Sequence, residues 1–363
     1  MGPGETLLAG LLVMVLAVAL LSNALVLLCC AYSSKLRTGT SGVLLVNLSL
    51  GHLLLAALDM PFTLLGVMRG QPPSAPGACQ AIGFLDTFLA SNAALSVAAL
   101  SADQWLAVGF PLRYAGRLRP RDAVLLLGCA WGQSLVFSVA ALGCSWLGYS
   151  SAFASCSLRL PPEPERPRFA AFTATLHAMG FALPLAVICL TSLQVHRVAR
   201  SHCQRMDIVT MKALMLLADL HPSVRQRCLI QQKRRRHRAT RKIGISIASF
   251  LICFAPYVVT RLVELVPFVT VNAHWGILSK CLTYSKAVAD PFTYSLLRRP
   301  FRQVLAGMAR RLLKRTLRPG STHNSSLDLA SMVHQVLKRT PRPASTHSSS
   351  LDAENDSCLQ QIH

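Results

Sequence analysis

Residues 7–31 read LLAGLLVMVLAVALLSNALVLLCCA, an unbroken run without a formal charge. A helix that crosses a bilayer needs about 20 apolar residues, so this stretch is a membrane span rather than the core helix of a soluble domain. Six further runs are also long and apolar, with few charged residues inside them: roughly 43–67, 78–100, 123–147, 169–195, 243–266 and 275–297. The third is expected to continue as a tilted helix to about Phe110. Seven spans predict an all-α membrane protein, a seven-transmembrane helix bundle.

Composition agrees. The chain has 363 residues, of which 52% are hydrophobic and only 14% charged, too apolar for an ordinary soluble protein of this size. The net charge of +22 raises the question of a nucleic-acid binder, but those proteins spread basic residues over a folded polar surface. Here the charge lies between long uncharged blocks, so nucleic acid is not an expected partner. The twelve cysteines show no paired metal spacing such as CxxC. No metal and no cofactor is expected.

Lys and Arg set the orientation. The segments following spans 1, 3, 5 and 7 hold 2, 4, 13 and 11 of the 37 basic residues. The positive-inside rule then places the N-terminus outside and the C-terminus in the cytosol, with the basic loops against anionic lipid. The expected organisation is a short extracellular N-terminus (1–6), the bundle (7–297), an amphipathic cytoplasmic helix (298–313) and a Ser/Thr-rich, disordered tail (314–363). MGPGE lacks a basic n-region, so the first span reads as an uncleaved signal anchor. The sequons at Asn47, Asn324 and Asn355 fall in a span or the cytosol and should stay unglycosylated. The third cytoplasmic loop carries QQKRRRHRATRK, suited to lipid contact or to docking a cytosolic partner. The tail repeats itself at a spacing of 24, from Met308 and again from Met332.

Particular positions then narrow the class. The first span has Asn23, the third starts with Cys79 and ends 24 residues later at Asp103, the fourth has Trp131 and the fifth Pro184. The sixth has CFAPY (Cys253 to Tyr257), and the seventh has DPFTY (Asp290 to Tyr294), followed by RRPFRQVL. In this order, in seven spans, they resemble the rhodopsin-like G-protein-coupled receptors, and details suggest an orphan member. The resemblance implies a plasma-membrane receptor, not an enzyme. Its partners would be a heterotrimeric G protein, arrestin and receptor kinases. It also implies switch positions at Phe254, where Trp is usual, and at Pro256, Asp290, Pro291 and Tyr294. Pro184, Pro256 and Pro291 are expected to bend their helices. A bridge between Cys79 and Cys156 is expected on the oxidising side, with Cys144 as an alternative partner.

Two departures from the family pattern concern the switch. Asp103-Gln104-Trp105 occupies the place of the family's Asp-Arg-Tyr, so the arginine that pairs with the acidic residue and with helix 6 in the inactive state is replaced by a neutral amide. His52 stands where the family has the aspartate that ligates an inhibitory sodium ion, and Lys286 occupies a neighbouring Asn position. Neither is a hard oxygen ligand. Lys286 can instead pair with Asp290, one turn along its helix. Sodium should not bind, and high activity without ligand is expected, with a lean to the stimulatory G protein, adenylate cyclase and cAMP.

The ligand pocket is expected around Asp86, Tyr257, Lys280 and Tyr284. Asp86 lies where amine receptors bind the ligand's ammonium, with Tyr284 like its supporting tyrosine. Asp59 and Lys280 share that half of the bundle, so the pocket can neutralise its own charges. The alternative reading is an ion- or proton-coupled transporter using His52, Lys286 and Asp290. Transporters show repeated span units, and none is found here.

In the tail, Arg318 and Arg342 each precede a serine by three positions, Ser321 and Ser345, a spacing that suits basic-directed kinases. Phosphates there would each add roughly −1.5 to −2 charges to a basic segment. Phosphopeptide mapping of the expressed protein should find Ser321 or Ser345 modified; a tail unmodified in both repeats would refute the expectation.

Overall fold

The computed structural model describes residues 2–70, 76–110, 120–216 and 244–316. The tail from 317 on, including Ser321, Ser345, Asn324 and Asn355, and the basic run at 231–242 lie outside these residues. The helices are α1 (Pro3–Tyr32), α2 (Thr40–Arg69), α3 (Pro76–Gly109), α4 (Pro120–Gly143), α5 (Arg166–Val198, its helix continuing to Leu216), α6 (Gly244–Val263), α7 (Ala273–Asp290, continued by Pro291–Leu296) and α8 (Arg299–Thr316). Two strands, β1 (Leu147–Ser150) and β2 (Ser155–Leu158), form an antiparallel hairpin. The bundle comprises Met1–Val198 and Arg241–Phe301; a second unit takes Ala199–Thr240 and Arg302–His363.

α1 to α6 are each long and apolar enough to cross a membrane. α7 is interrupted by Lys280, Lys286 and Asp290, all buried. α3 is the most enclosed: 67% of its apolar window is buried, against 22% for α4. α4 instead presents Val124, Leu125, Leu135, Val136 and Val139 outward, as a helix facing lipid tails must. Its polar groups turn inward. Trp131 Nε1 donates to Asn47 Oδ1 (2.9 Å), and Asn47 Nδ2 donates to Asn92 Oδ1 and Ser96 Oγ (both 3.0 Å). These bonds tie α2, α3 and α4 together in a setting where an unpaired polar group is costly. On the other side, Asn23 of α1 donates to the Ala287 carbonyl of α7 (2.9 Å).

The helix ends follow local chemistry. Pro3 takes the first position of α1, and Glu5 accepts from the Gly2 amide (3.0 Å). Asn272 caps α7, its side chain accepting from the amides of His274 (2.9 Å) and Trp275 (3.3 Å). Three stretches widen to π-helix: Leu55–Asp59, Ala178–Ala182 and Pro291–Leu296. Each lies beside a proline: Pro61, Pro184 and Pro291. A proline offers no amide and crowds the carbonyl one turn back, and a wider turn relieves both. α6 keeps regular helix through Pro256, where the Thr260 hydroxyl donates to the proline carbonyl (2.7 Å).

The fourth span differs from its expected extent of 123–147. The helix ends at Gly143, and Leu147 opens the hairpin. Ser145 takes a left-handed φ of 57°, which no helix continues through. Hydropathy does not register such a turn, because no charged residue between Gly143 and Leu147 marks it. The hairpin pairs Leu147 with Leu158 and Ser150 with Ser155. Trp146 closes its base, edge-on to Phe169 (5.5 Å between ring centroids).

Cys156 of β2 is bonded to Cys79 of α3, with Cα atoms 5.2 Å apart. Cys144, the alternative partner, keeps an exposed free thiol. Cys79→Ser and Cys156→Ser should each lower surface expression, with the double variant no worse than either single one, read by surface immunostaining. Additive losses would show that the two positions act independently.

Candidate functional site

Conserving a charge inside a bilayer requires a partner, and the ionisable residues of the bundle sort into three groups along its length. The first lies at the disulfide end. Lys280 of α7 donates to Asp86 Oδ2 of α3 (2.6 Å), both groups being buried. The ammonium also faces the rings of Tyr257 and Tyr284, each 5.1 Å away. Tyr284 does not support Asp86. Its hydroxyl donates to Asp59 Oδ2 of α2 (2.7 Å) and lies 2.8 Å from Thr63 Oγ1. Asp86, Tyr257 and Lys280 line a cleft with His177, Leu158 and Phe254. Tyr284 lies deeper, beside a smaller cavity shared with His52 and Lys286. The Asp86 carboxylate is therefore held by the protein's own ammonium, and this half of the bundle neutralises its own charges.

The second group is the buried trio His52, Lys286 and Asp290. Lys286 donates to Asp290 Oδ1 across one helical turn, as its spacing predicts. His52 Nε2 of α2 lies 3.6 Å from Asp290 Oδ2. Lys286 also faces the rings of Tyr294 (5.8 Å) and Phe250 (6.0 Å). Lys286 thus takes one oxygen of this carboxylate, and Oδ2 is buried with no hydrogen-bond partner among the described residues. Phe254 belongs to an aromatic stack on the same level: its ring is 4.9 Å from Phe250, which stacks on Phe181 of α5 at 5.8 Å.

The third group lies at the other end. Asp103 accepts a short hydrogen bond from Ser41 at the start of α2. Gln104 Nε2 is buried with no hydrogen-bond partner among the described residues. Trp105 packs edge-on against Phe110 (5.7 Å). Burial lowers the Arg298 pKa from its ordinary value, while Tyr294 and Asp103 act to raise it. Tyr294, buried, shares a hydrogen bond with Ser246 of α6, and Pro291 opens the widened turn that brings it there.

Arg261 was not legible as a site residue. It is fully enclosed near the disulfide end of α6, donating to Tyr257 (3.0 Å), Glu264 (2.9 Å) and Ser157 of β2 (2.6 Å). The signal was present in RLVE, a cation with an acid three positions on inside an apolar run.

Removing one member of a buried pair strands the other, typically at about 3–5 kcal/mol, whereas replacing both with apolar groups is often neutral. Asp86→Ala and Lys280→Met should each lower the thermal unfolding temperature of the detergent-purified protein by several degrees. The double variant should recover most of that loss. Additive losses in the double variant would show that the two residues are not partners.

The family model described as 7 transmembrane receptor (rhodopsin family) matches residues 22–294, three quarters of the chain. Among relatives, the chain is 91% identical over 363 residues, the full length of both proteins, to G-protein coupled receptor 78 of Homo sapiens. It is 52% identical over 320 residues to G-protein coupled receptor 26 of Homo sapiens, covering 88% of this chain and 94% of the relative. A more distant match, 27% identical over 296 residues, is somatostatin receptor type 5 of Bos taurus, covering 81% of this chain and 73% of the relative. With the helices in order, the disulfide between α3 and the hairpin, and DPFTY at the end of α7, these matches place the chain in the rhodopsin family of G-protein-coupled receptors.

Proposed function

We propose that this receptor signals without a diffusible ligand, through the stimulatory G protein and adenylate cyclase. The coarser statement follows from the family: the chain is a multi-pass plasma-membrane receptor whose partner is a heterotrimeric G protein. The family does not favour the transporter reading. The orientation we adopt, N-terminus outside, is supported by the 30 of 37 basic residues in segments of one side. Arrestin and receptor kinases are proposed partners of the tail, and anionic lipid of the basic loops.

The observation that carries the proposal is the neutral amide at Gln104. In the family this position holds the cation that pairs with the adjacent acid and with helix 6. A glutamine offers no charge to either, and Asp103 bonds to Ser41 instead. The Lys286–Asp290 contact supports the same reading, because an ammonium there opposes the sodium ion that favours the inactive state. Losing about 1.4 kcal/mol of restraint raises a minor active population roughly tenfold. The stimulatory coupling rests on resemblance to orphan receptors with high basal signalling.

Ligand-free cAMP should rise in proportion to surface receptor and be insensitive to sodium. His52→Asp should lower that basal output, since a carboxylate restores a sodium ligand and pairs with Lys286. Gln104→Arg should change both the basal and the maximal output, because the arginine also meets the G protein. A wild-type receptor silent in every G-protein assay at high surface density would refute the proposal.

A further inference from the structure

The tip of the hairpin, residues 151–154, turns into the bundle: Ser151 is exposed and Ala152 partly buried, but the two residues that follow are enclosed. Phe153 is wholly buried, and Ala154 almost so. Two glycines make the seat. A Cβ on Gly66 of α2 would stand 2.1 Å from the Ala154 carbonyl oxygen. One on Gly276 of α7 would stand 2.0 Å from the Ala152 carbonyl oxygen. No side chain fits at either position while the tip is in place. The helices therefore present two backbone-deep notches to two carbonyls of one short segment.

Phe153 between those carbonyls faces α6. The Arg261 guanidinium lies over its ring at 4.0 Å, and the Tyr257 ring is 5.3 Å away. Tyr257 in turn faces Lys280, which holds Asp86. The next strand continues the attachment: Ser157 accepts from Arg261, and Leu158 forms part of the cleft wall. Thus one segment contacts α2, α6 and α7 at the disulfide end and joins the charged cleft through one tyrosine. Such a set of contacts is what a bound ligand makes. The disulfide at Cys156 and the strand pairing hold the segment in place beforehand, which removes most of the entropic cost of binding.

We propose that the 151–154 tip is the receptor's own tethered ligand, seated in the Gly66 and Gly276 notches and holding α6 through Arg261 and Tyr257 in the arrangement that signals. This rests on the ligand-free activity proposed above. A receptor that signals with this seat filled by its own chain needs no external molecule there.

Two measurements on the full-length receptor in cells test it. The first is ligand-free cAMP per surface receptor for wild type, Gly276→Ala, Gly66→Ala and Phe153→Leu. The second is labelling of Phe153→Cys by a membrane-impermeant maleimide, in a Cys144→Ser background, with and without Gly276→Ala. The expected result is at least a threefold fall in output for each glycine variant and a smaller fall for Phe153→Leu. Phe153→Cys should be protected alone and labelled several-fold faster with Gly276→Ala. If a glycine variant does not reach the surface, Phe153→Leu decides alone: unchanged output overturns the proposal. Wild-type activity with undiminished or higher output in the variants overturns the tethered ligand but leaves ligand-free signalling standing. Equal labelling with and without Gly276→Ala overturns the seating itself. A silent wild type overturns both readings.

Discussion

Two buried ammonium groups on one helix constrain the arrangement of the bundle. A lysine at the centre of a membrane helix costs about 2.5–3.5 kcal/mol to insert, and α7 carries Lys280 and Lys286, both buried. Each must find a carboxylate. Lys280 finds Asp86 and so fixes α7 against α3. Lys286 takes Asp290 of its own helix, and His52 approaches the same carboxylate from α2. Asn23 of α1 bonds to the Ala287 carbonyl between them. Within eleven residues, α7 is therefore referenced to three other helices by polar contacts.

α6 is tied at three depths. Ser246 shares a hydrogen bond with Tyr294 at one end, Phe250 and Phe254 join the aromatic stack at the middle, and Arg261 binds Ser157 of the hairpin at the other end. Helices move as rigid elements about a few points of weakness, and Pro256 lies between the last two ties. Contacts made by the hairpin and contacts made by Tyr294 thus bear on one lever. Neither end can be repacked without a consequence for the other, because the interior is too dense to absorb a shift locally.

Much of this could be read in the sequence where the signal was local. Long apolar runs gave the helices, and the four-residue spacing of Lys286 and Asp290 gave their contact. Asp86 and Lys280, 194 positions apart, were recognisable as opposite charges in the same half of the bundle, but their pairing needed the fold. The turn at Ser145 hid inside an apolar stretch, since hydropathy records transfer from water and not the sign of φ. Gly66 and Gly276 were silent for a related reason: a notch is defined by what enters it, and the carbonyls of Ala152 and Ala154 lie far away along the chain. Ser41 on Asp103 was invisible because serine is unremarkable wherever it falls.

The pairing of Lys280 with Asp86 also has a bearing on chemical discovery. A protonated amine would have to evict a tethered competitor of its own kind from a 2.6 Å contact. It would then leave a second cation beside the first. A neutral molecule, or a zwitterion whose two charges slot between the separated partners, faces no such exchange. Screening collections weighted toward basic amines would thus sample this cleft where it is least receptive.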